Sequence, residues 1–305
     1  MRVGILGRTG TLLESAKTIV ASGHQIVFIV TCKAEPFYEK KEVDFKSYAE
    51  ELQVPFFNTL DLISHADIIK KLKADICISI NWLTIIENSF LSIFPYGVIN
   101  AHAGDLPRYK GNACPNWAIL NFENKIGLSI HKMIEELDSG PYVLKRFFEI
   151  NETTYITDVY KWIESSIPTM FAEALDLIPL QGFFEQDTFV KTLRTYPRKP
   201  LDSRIIWAES NRVVLANIRA SSHPFDGAFC FLNDVKTRVV IYRATQYEVD
   251  FDYLAIPGQV CFSASGYPII ATGDGLIAIE ECLIEGYDPP ESLLLITKSM
   301  RNRLI

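Results

Sequence analysis

The chain has 305 residues, 48% of them hydrophobic and 22% charged, a balance ordinary for a folded protein and a length that suits two domains better than one. Its longest apolar runs, such as Ile26–Val30 and Leu293–Ile296, are too short to span a bilayer, so no membrane partner is expected. The net charge of −7 sits wholly in the first 190 residues, because residues 191–305 balance 13 Lys and Arg against 13 Asp and Glu, and neither half offers the basic surface that nucleic acid requires.

The N-terminus runs from Met1 directly into an apolar stretch, Val3–Leu6, with no basic lead or small-residue cleavage site, so no secretory signal is expected. Val3–Leu6 reads as a strand, Leu12–Ser22 as a helix and Ile26–Val30 as a second strand. Tyr38–Leu52 and Asp67–Leu72 read as helical, and Asp75–Ile80, Gly97–His102 and Gly127–Ile134 as further strands. Continuous apolar strands alternating with amphipathic helices predict a mostly parallel sheet covered on both faces, a Rossmann-like α/β domain over residues 1–193. A helix near Val159–Leu177, kinked or interrupted at Pro168, closes it.

Arg194-Thr-Tyr-Pro-Arg-Lys-Pro200 reads as an extended linker, taken here as 194–204. Its basic residues Arg194, Arg198, Lys199 and Arg204 suit either a solvated connector or a pyrophosphate contact. Beyond a short helix over about Ala208–Ser221, β-rich runs at Ala228–Phe231, Arg238–Ala244, Ile269–Thr272 and Leu276–Glu280 alternate with turn signals. They predict a small OB-like β-barrel over residues 205–305. The six cysteines are scattered singly, without a C-x-x-C pair, so neither a zinc site nor a disulfide framework is expected and a reducing cytoplasm fits.

Gly7-Arg8-Thr9-Gly10 follows the first strand but lacks the G-x-G-x-x-G spacing of a dinucleotide site. It reads as a tight turn into a helix, as a phosphate contact assisted by Arg8, or as both. The chemistry gathers further on, in Val98-Ile-Asn-Ala-His-Ala-Gly-Asp-Leu-Pro-Arg-Tyr-Lys-Gly111. Asn100 and His102 stand two apart at a strand end, so period two puts both on one face, at the sheet edge where open α/β sheets bind ligands. An amide can donate to an oxyanion and an imidazole can move a proton. Asp138, placed at the end of the following apolar strand, is the candidate to orient the histidine. Taken alone, an N-x-H also fits a structural polar pair.

The N-x-H, the Leu106-Pro-Arg-Tyr-Lys-Gly111 segment and an aspartate 36 residues after the histidine together resemble the folate-dependent formyltransferase family. That family includes the methionyl-tRNA, glycinamide ribonucleotide and sugar N-formyltransferases. Arg219-Ala-Ser-Ser-His-Pro-Phe-Asp-Gly-Ala-Phe229, Pro257-Gly258 and Ala271-Thr-Gly-Asp-Gly275 extend the likeness into the C-terminal barrel. The resemblance implies a formyltransferase fold, 10-formyltetrahydrofolate as formyl donor, and Asn100, His102 and Asp138 as the catalytic residues, without a metal or a covalent enzyme intermediate. It implies folate contacts near Trp82, Leu83 and Ile86 and along Ile134, Glu135 and Leu137.

Asn116-Trp117 and His131-Lys-Met133 resemble the sugar enzymes, the 4-amino-4-deoxyarabinose formyltransferase type above all. They imply a UDP- or dTDP-linked amino sugar as acceptor, with Arg8, Tyr109, Lys110, Asn116 and Trp117 as its contacts and surface-polysaccharide or lipopolysaccharide assembly as the setting. Trp117 equally suits helix packing, and His131 reads as a structural histidine. Ala103-Gly-Asp-Leu106 replaces the family's small–Ser–Leu–Leu run, and Lys110 stands where arginine is common. Both departures fall on the acceptor loop. Methionyl-tRNA formyltransferase is the alternative, and a non-catalytic folate or nucleotide-sugar binding protein the second; a monomer or homodimer fits each.

Overall fold

The computed structural model describes residues 1–305, which divide into two compact units. One comprises residues 1–111, 126–148 and 161–195; the other comprises 112–125, 149–160 and 196–305. Two stretches of the first 193 residues thus cluster with the C-terminal ones. No helix is long and apolar enough to cross a membrane.

The first unit is built on a seven-stranded sheet. In chain order its elements are β1 (Arg2–Gly7), α1 (Gly10–Ala21), β2 (Gln25–Thr31), α2 (Glu42–Glu51), β3 (Phe56–Asn58), α3 (Ala66–Lys71), β4 (Ile76–Ile80), α4 (Asn88–Leu91), β5 (Val98–His102) and β6 (Tyr109–Gly111). After α5 (Cys114–Leu120) follow β7 (Lys125–Lys132), β8 (Tyr142–Glu149), α6 (Ile156–Gln181) and β9 (Leu193–Thr195). The sheet order is β3-β2-β1-β4-β5-β7-β8, while β6 and β9 form a separate parallel pair. The five strands from β3 to β5 run parallel, and β7 is antiparallel to β5. Strands β1, β2 and β4 are buried on both faces, which is why they read as unbroken apolar runs. The core on one side of them gathers Phe28, Phe90 and Phe94 with Leu6, Ile69 and Val98.

Several expected boundaries move. Helix α2 begins at Glu42 rather than Tyr38, because the Asp44 carboxylate accepts from the Lys41 N–H and fixes the first turn there. Helix α6 runs unbroken through Pro168 for 26 residues. A proline inside a helix costs about 3 kcal/mol, but α6 buries Ile163, Ile167, Met170, Phe171, Leu175 and Ile178, each worth about 1.5–3 kcal/mol. Burial outweighs the missing bond.

The second unit contains a 3₁₀ turn (Pro200–Ser203), α7 (Asn211–Ser221), β10 (Ala228–Phe231), β11 (Arg238–Tyr247), β12 (Val260–Ala264), β13 (Tyr267–Ala271), β14 (Leu276–Ile284) and α8 (Pro289–Thr297). Ser210 caps α7 by accepting from Val213 N–H, which sets its start three residues after Ala208. The strands form an antiparallel sheet in the order β10-β11-β14-β13-β12. Residues 302–305 bridge its outer strands: Phe231 and Ile305 exchange backbone hydrogen bonds, while Val260 donates to Asn302 and Leu304 to Gly258. The core joins Trp207, Val214, Ile218, Ile241, Ile277 and Ile279, and the buried Tyr155 hydroxyl donates to the Ala244 carbonyl.

Candidate active site

Strand β5 delivers Asn100 and His102 to the edge at which the sheet reverses direction. Antiparallel pairing sets Asn100 opposite His131 and His102 opposite Ser129 on β7. His131 is buried, with Nδ1 3.1 Å from the Lys132 carbonyl oxygen, so Nδ1–H donates there and Nε2 keeps its lone pair. Burial, followed by the neighbouring His102 ring, pushes its pKa down to about 4 against the opposing pull of Asp138. A neutral ring can then accept the Asn100 Nδ2–H at 3.4 Å, which turns the amide nitrogen of Asn100 toward it.

His102 is almost buried and its ring meets His131 edge-on, 6.0 Å between centroids. Its Nε2 lies 2.6 Å from the Tyr109 carbonyl oxygen, an acceptor only, so Nε2–H is the donor. Nδ1 is therefore the proton-handling nitrogen, and it faces Asp138 Oδ2 at 3.6 Å. Gly104 makes this approach possible, since a Cβ there would stand 2.2 Å from the Tyr109 oxygen.

Asp138 does not end a strand. Strand β7 stops at Lys132, and Asp138 follows six residues later in the loop to β8 with φ +52°, in the left-handed region. Its Oδ2 accepts from Gly111 N–H at 2.8 Å, and its Oδ1 stands 3.7 Å from His131 Nε2. Asn100 and Asp138 thus both approach His131 Nε2, and Asp138 also faces His102, which gathers the three side chains around the His131 ring. That set offers an amide donor, an imidazole lone pair and a carboxylate, the ingredients of acyl transfer to an amine.

Within the same unit, Tyr109 contributes its backbone carbonyl to His102 while its ring is buried. Lys110 Nζ donates to Ser139 Oγ at 2.7 Å, tying its own segment to the Asp138 loop. Arg8 is buried, its guanidinium spent on Glu35 at 2.7 Å and on the carbonyls of Lys33 and Asn81. It holds the ends of three strands together. Thr9 caps α1, as the tight-turn reading requires.

Leu83, Ile134 and Leu137 expose 46%, 41% and 47% of their surface, leaving apolar area for a ligand ring. Glu135 is exposed beside them. Trp82 packs on the core and donates to Thr84, and Ile86 is buried in the same core. In the second unit, Asn116 is buried on α5 and donates to the Ala220 carbonyl, and Trp117 donates to the Tyr196 carbonyl. Both serve the packing of that unit. Arg198 likewise donates to the carbonyls of Ala220 and Asp202 rather than to solvent. The role of His131 in orienting Asn100 was open to sequence reasoning only through strand register, which no residue pattern displays.

The family model for formyl transferases matches residues 2–175, and that for the C-terminal domain of formyl transferases matches 198–291. Methionyl-tRNA formyltransferase of Pelotomaculum thermopropionicum is 29% identical over 300 residues, 94% of this chain and 92% of that protein. Among solved structures, the N-formyltransferase of Helicobacter canadensis with folinic acid and dTDP-3-aminofucose aligns at a TM-score of 0.66 and 18% identity, covering 91% of this chain and 98% of that one. A variant of HypX from Aquifex aeolicus aligns at 0.63 and 18% identity; the chain spans only 47% of its length.

Proposed function

The chain belongs to the formyl transferase family, and we propose that it carries the formyl group of 10-formyltetrahydrofolate to the amine of a UDP- or dTDP-linked amino sugar. The observation that carries the reading is the convergence of Asn100, His102 and Asp138 at one strand edge. The uncharged amine adds to the formyl carbon and the C–N bond to the folate breaks. Asn100, its nitrogen already oriented by His131, donates its second N–H to the developing oxyanion, a role worth about 3–4 kcal/mol in comparable sites. The proton lost by the amine passes to Asp138 or His102 Nδ1 and on to the departing folate nitrogen, which balances the reaction. General acid–base catalysis of this kind contributes about 10²–10⁴-fold. Leu83, Ile134 and Leu137 flank the donor, and Tyr109 and Lys110 shape the acceptor side.

The sugar acceptor is favoured by charge. Residues 191–305 are electrically balanced, and two arginines of the second unit are spent on backbone carbonyls, the half-buried Arg198 and the buried Arg219. A surface that grips tRNA needs such cations free. The second reading, formylation of methionyl-tRNA, rests on the 29% identity to an enzyme of that name. Incubation with the formyl donor and a panel of UDP- and dTDP-linked amino sugars, with product mass followed, tests the first reading. Tight, salt-sensitive binding of initiator tRNA together with its formylation, and no sugar product, would replace the first by the second.

A further inference from the structure

After α6 the chain returns along the loop that carries Asp138. Phe184 exchanges backbone hydrogen bonds with Tyr142, and residues 193–195 pair with β6. Between these anchor points lies Gln186. Its Nε2 stands 2.8 Å from the Asp138 carbonyl oxygen and 2.8 Å from the Gly140 carbonyl oxygen, so both amide N–H bonds are used. Its Oε1 is buried without a hydrogen-bond partner. The opposite amide orientation would set that oxygen against two carbonyl oxygens, so only the nitrogen fits here.

The turn it grips is held in an uncommon shape. Asp138 has φ +52°, a region that residues with a Cβ enter at a cost. The turn is also tight, since a Cβ on Gly140 would stand 1.9 Å from the Lys132 carbonyl oxygen. Two carbonyls drawn to a single nitrogen fix the Asp138–Ser139 and Gly140–Pro141 peptides. They thereby fix the direction in which the Asp138 side chain leaves the backbone. That side chain reaches Gly111 N–H at 2.8 Å and His102 Nδ1 at 3.6 Å.

We propose that Gln186 is the positioning residue for Asp138: its side-chain amide locks the turn that aims the carboxylate at Gly111 N–H and His102. The kinetic consequence rests on the formyl-transfer reading, whereas the geometric one does not.

The test uses the full chain carrying Gln186→Ala or Gln186→Glu, the second keeping the size while replacing the donor by an acceptor. Without any substrate, amide hydrogen exchange at Gly111 is expected to speed up by about tenfold or more, while Ile29, bonded to Pro55 on the far side of the sheet, keeps its wild-type rate. With formyl donor and the active amino sugar, kcat is expected to fall about 10–100-fold, with KM for the acceptor within about threefold. In an Asp138→Asn background the same Gln186→Ala change is expected to cost less than about threefold, since the carboxylate it aims is already gone. Unchanged exchange at Gly111 overturns the proposal. So does an equal rate loss in both backgrounds, or protection falling everywhere at once in both variants, which would mark an amide serving the fold at large. If the wild-type chain transfers no formyl group, the exchange result still decides the positioning claim, and the two failures stay distinct.

Discussion

Gly104→Ala places a methyl group against the hydrogen bond that sets the protonation of His102. The added Cβ would stand 2.2 Å from the Tyr109 carbonyl oxygen and 2.4 Å from His102 Nε2. Heavy-atom contacts of this kind settle at about 3.5 Å, so both partners must withdraw by roughly 1 Å and their 2.6 Å bond is broken or lengthened. A shift of that size in a catalytic group costs about 10²-fold in rate, equivalent to about 2.7 kcal/mol at 1.36 kcal/mol per decade. Overpacking adds about 1–3 kcal/mol of lost stability. The control is Gly266→Ala, where φ is +85° and no atom lies within 4 Å, so backbone strain is the sole cost, about 1–3 kcal/mol. Thermal midpoints and kcat are measured on both, with the same donor and amino sugar. Both variants should lose comparable stability, but Gly104→Ala alone should lose turnover. A Gly104→Ala enzyme with kcat within about twofold of wild type would refute the role given to the His102–Tyr109 bond.

Replacing Asp138 by asparagine should lower kcat by about 10²–10⁴-fold without moving the urea midpoint by more than a few tenths of a molar, and a loss under tenfold would remove the carboxylate from the chemistry. Asn100→Ala should cost about 10²–10³-fold, read by the same assay. His131 makes stability pH-dependent. Its folded pKa, pushed down to about 4, lies below the unfolded value of 6.5, so the unfolded chain takes up a proton that the folded chain refuses. Its contribution is whole above pH 6.5 and drains away as pH falls toward 4, by up to about 3 kcal/mol. His24, also lowered by burial, adds in the same direction. His131→Asn should flatten the slope of urea stability between pH 7 and pH 5, and an unchanged slope would assign the acid sensitivity elsewhere. Tyr155→Phe removes a hydroxyl that donates to the Ala244 carbonyl and accepts from its N–H. It should lower unfolding free energy by about 1–3 kcal/mol, measured by denaturant titration.

The strands legible in the sequence are the ones whose burial is continuous. β1, β2, β4 and β5 carry their apolar runs openly, because a parallel strand covered on both faces needs no alternation. β3 has three residues and β8 is half exposed, so neither displays a period. The candidate site divides in the same way. Asn100 and His102 are neighbours on one strand, and strand periodicity places them on one face. Asp138 arrives through a left-handed turn, which no apolar pattern announces. Arg8 and Ile86 stand in segments where the resemblance implies ligand contacts, and both are buried. A residue's type and place in the order do not say which way its side chain turns when an acidic neighbour such as Glu35 comes from 27 positions away.

In the second unit, four residues at 302–305 do the work of a sixth stave. They satisfy the open edge of β10 and the open edge of β12 together. The barrel can therefore be unzipped without cutting any of its five strands. A protease that trims this short segment, or a fusion partner that pulls it aside, would uncover two rows of unpaired amides and carbonyls at once, each a template for another chain. The solubility of preparations of this protein should thus track the integrity of those few residues far more closely than their modest share of the buried core.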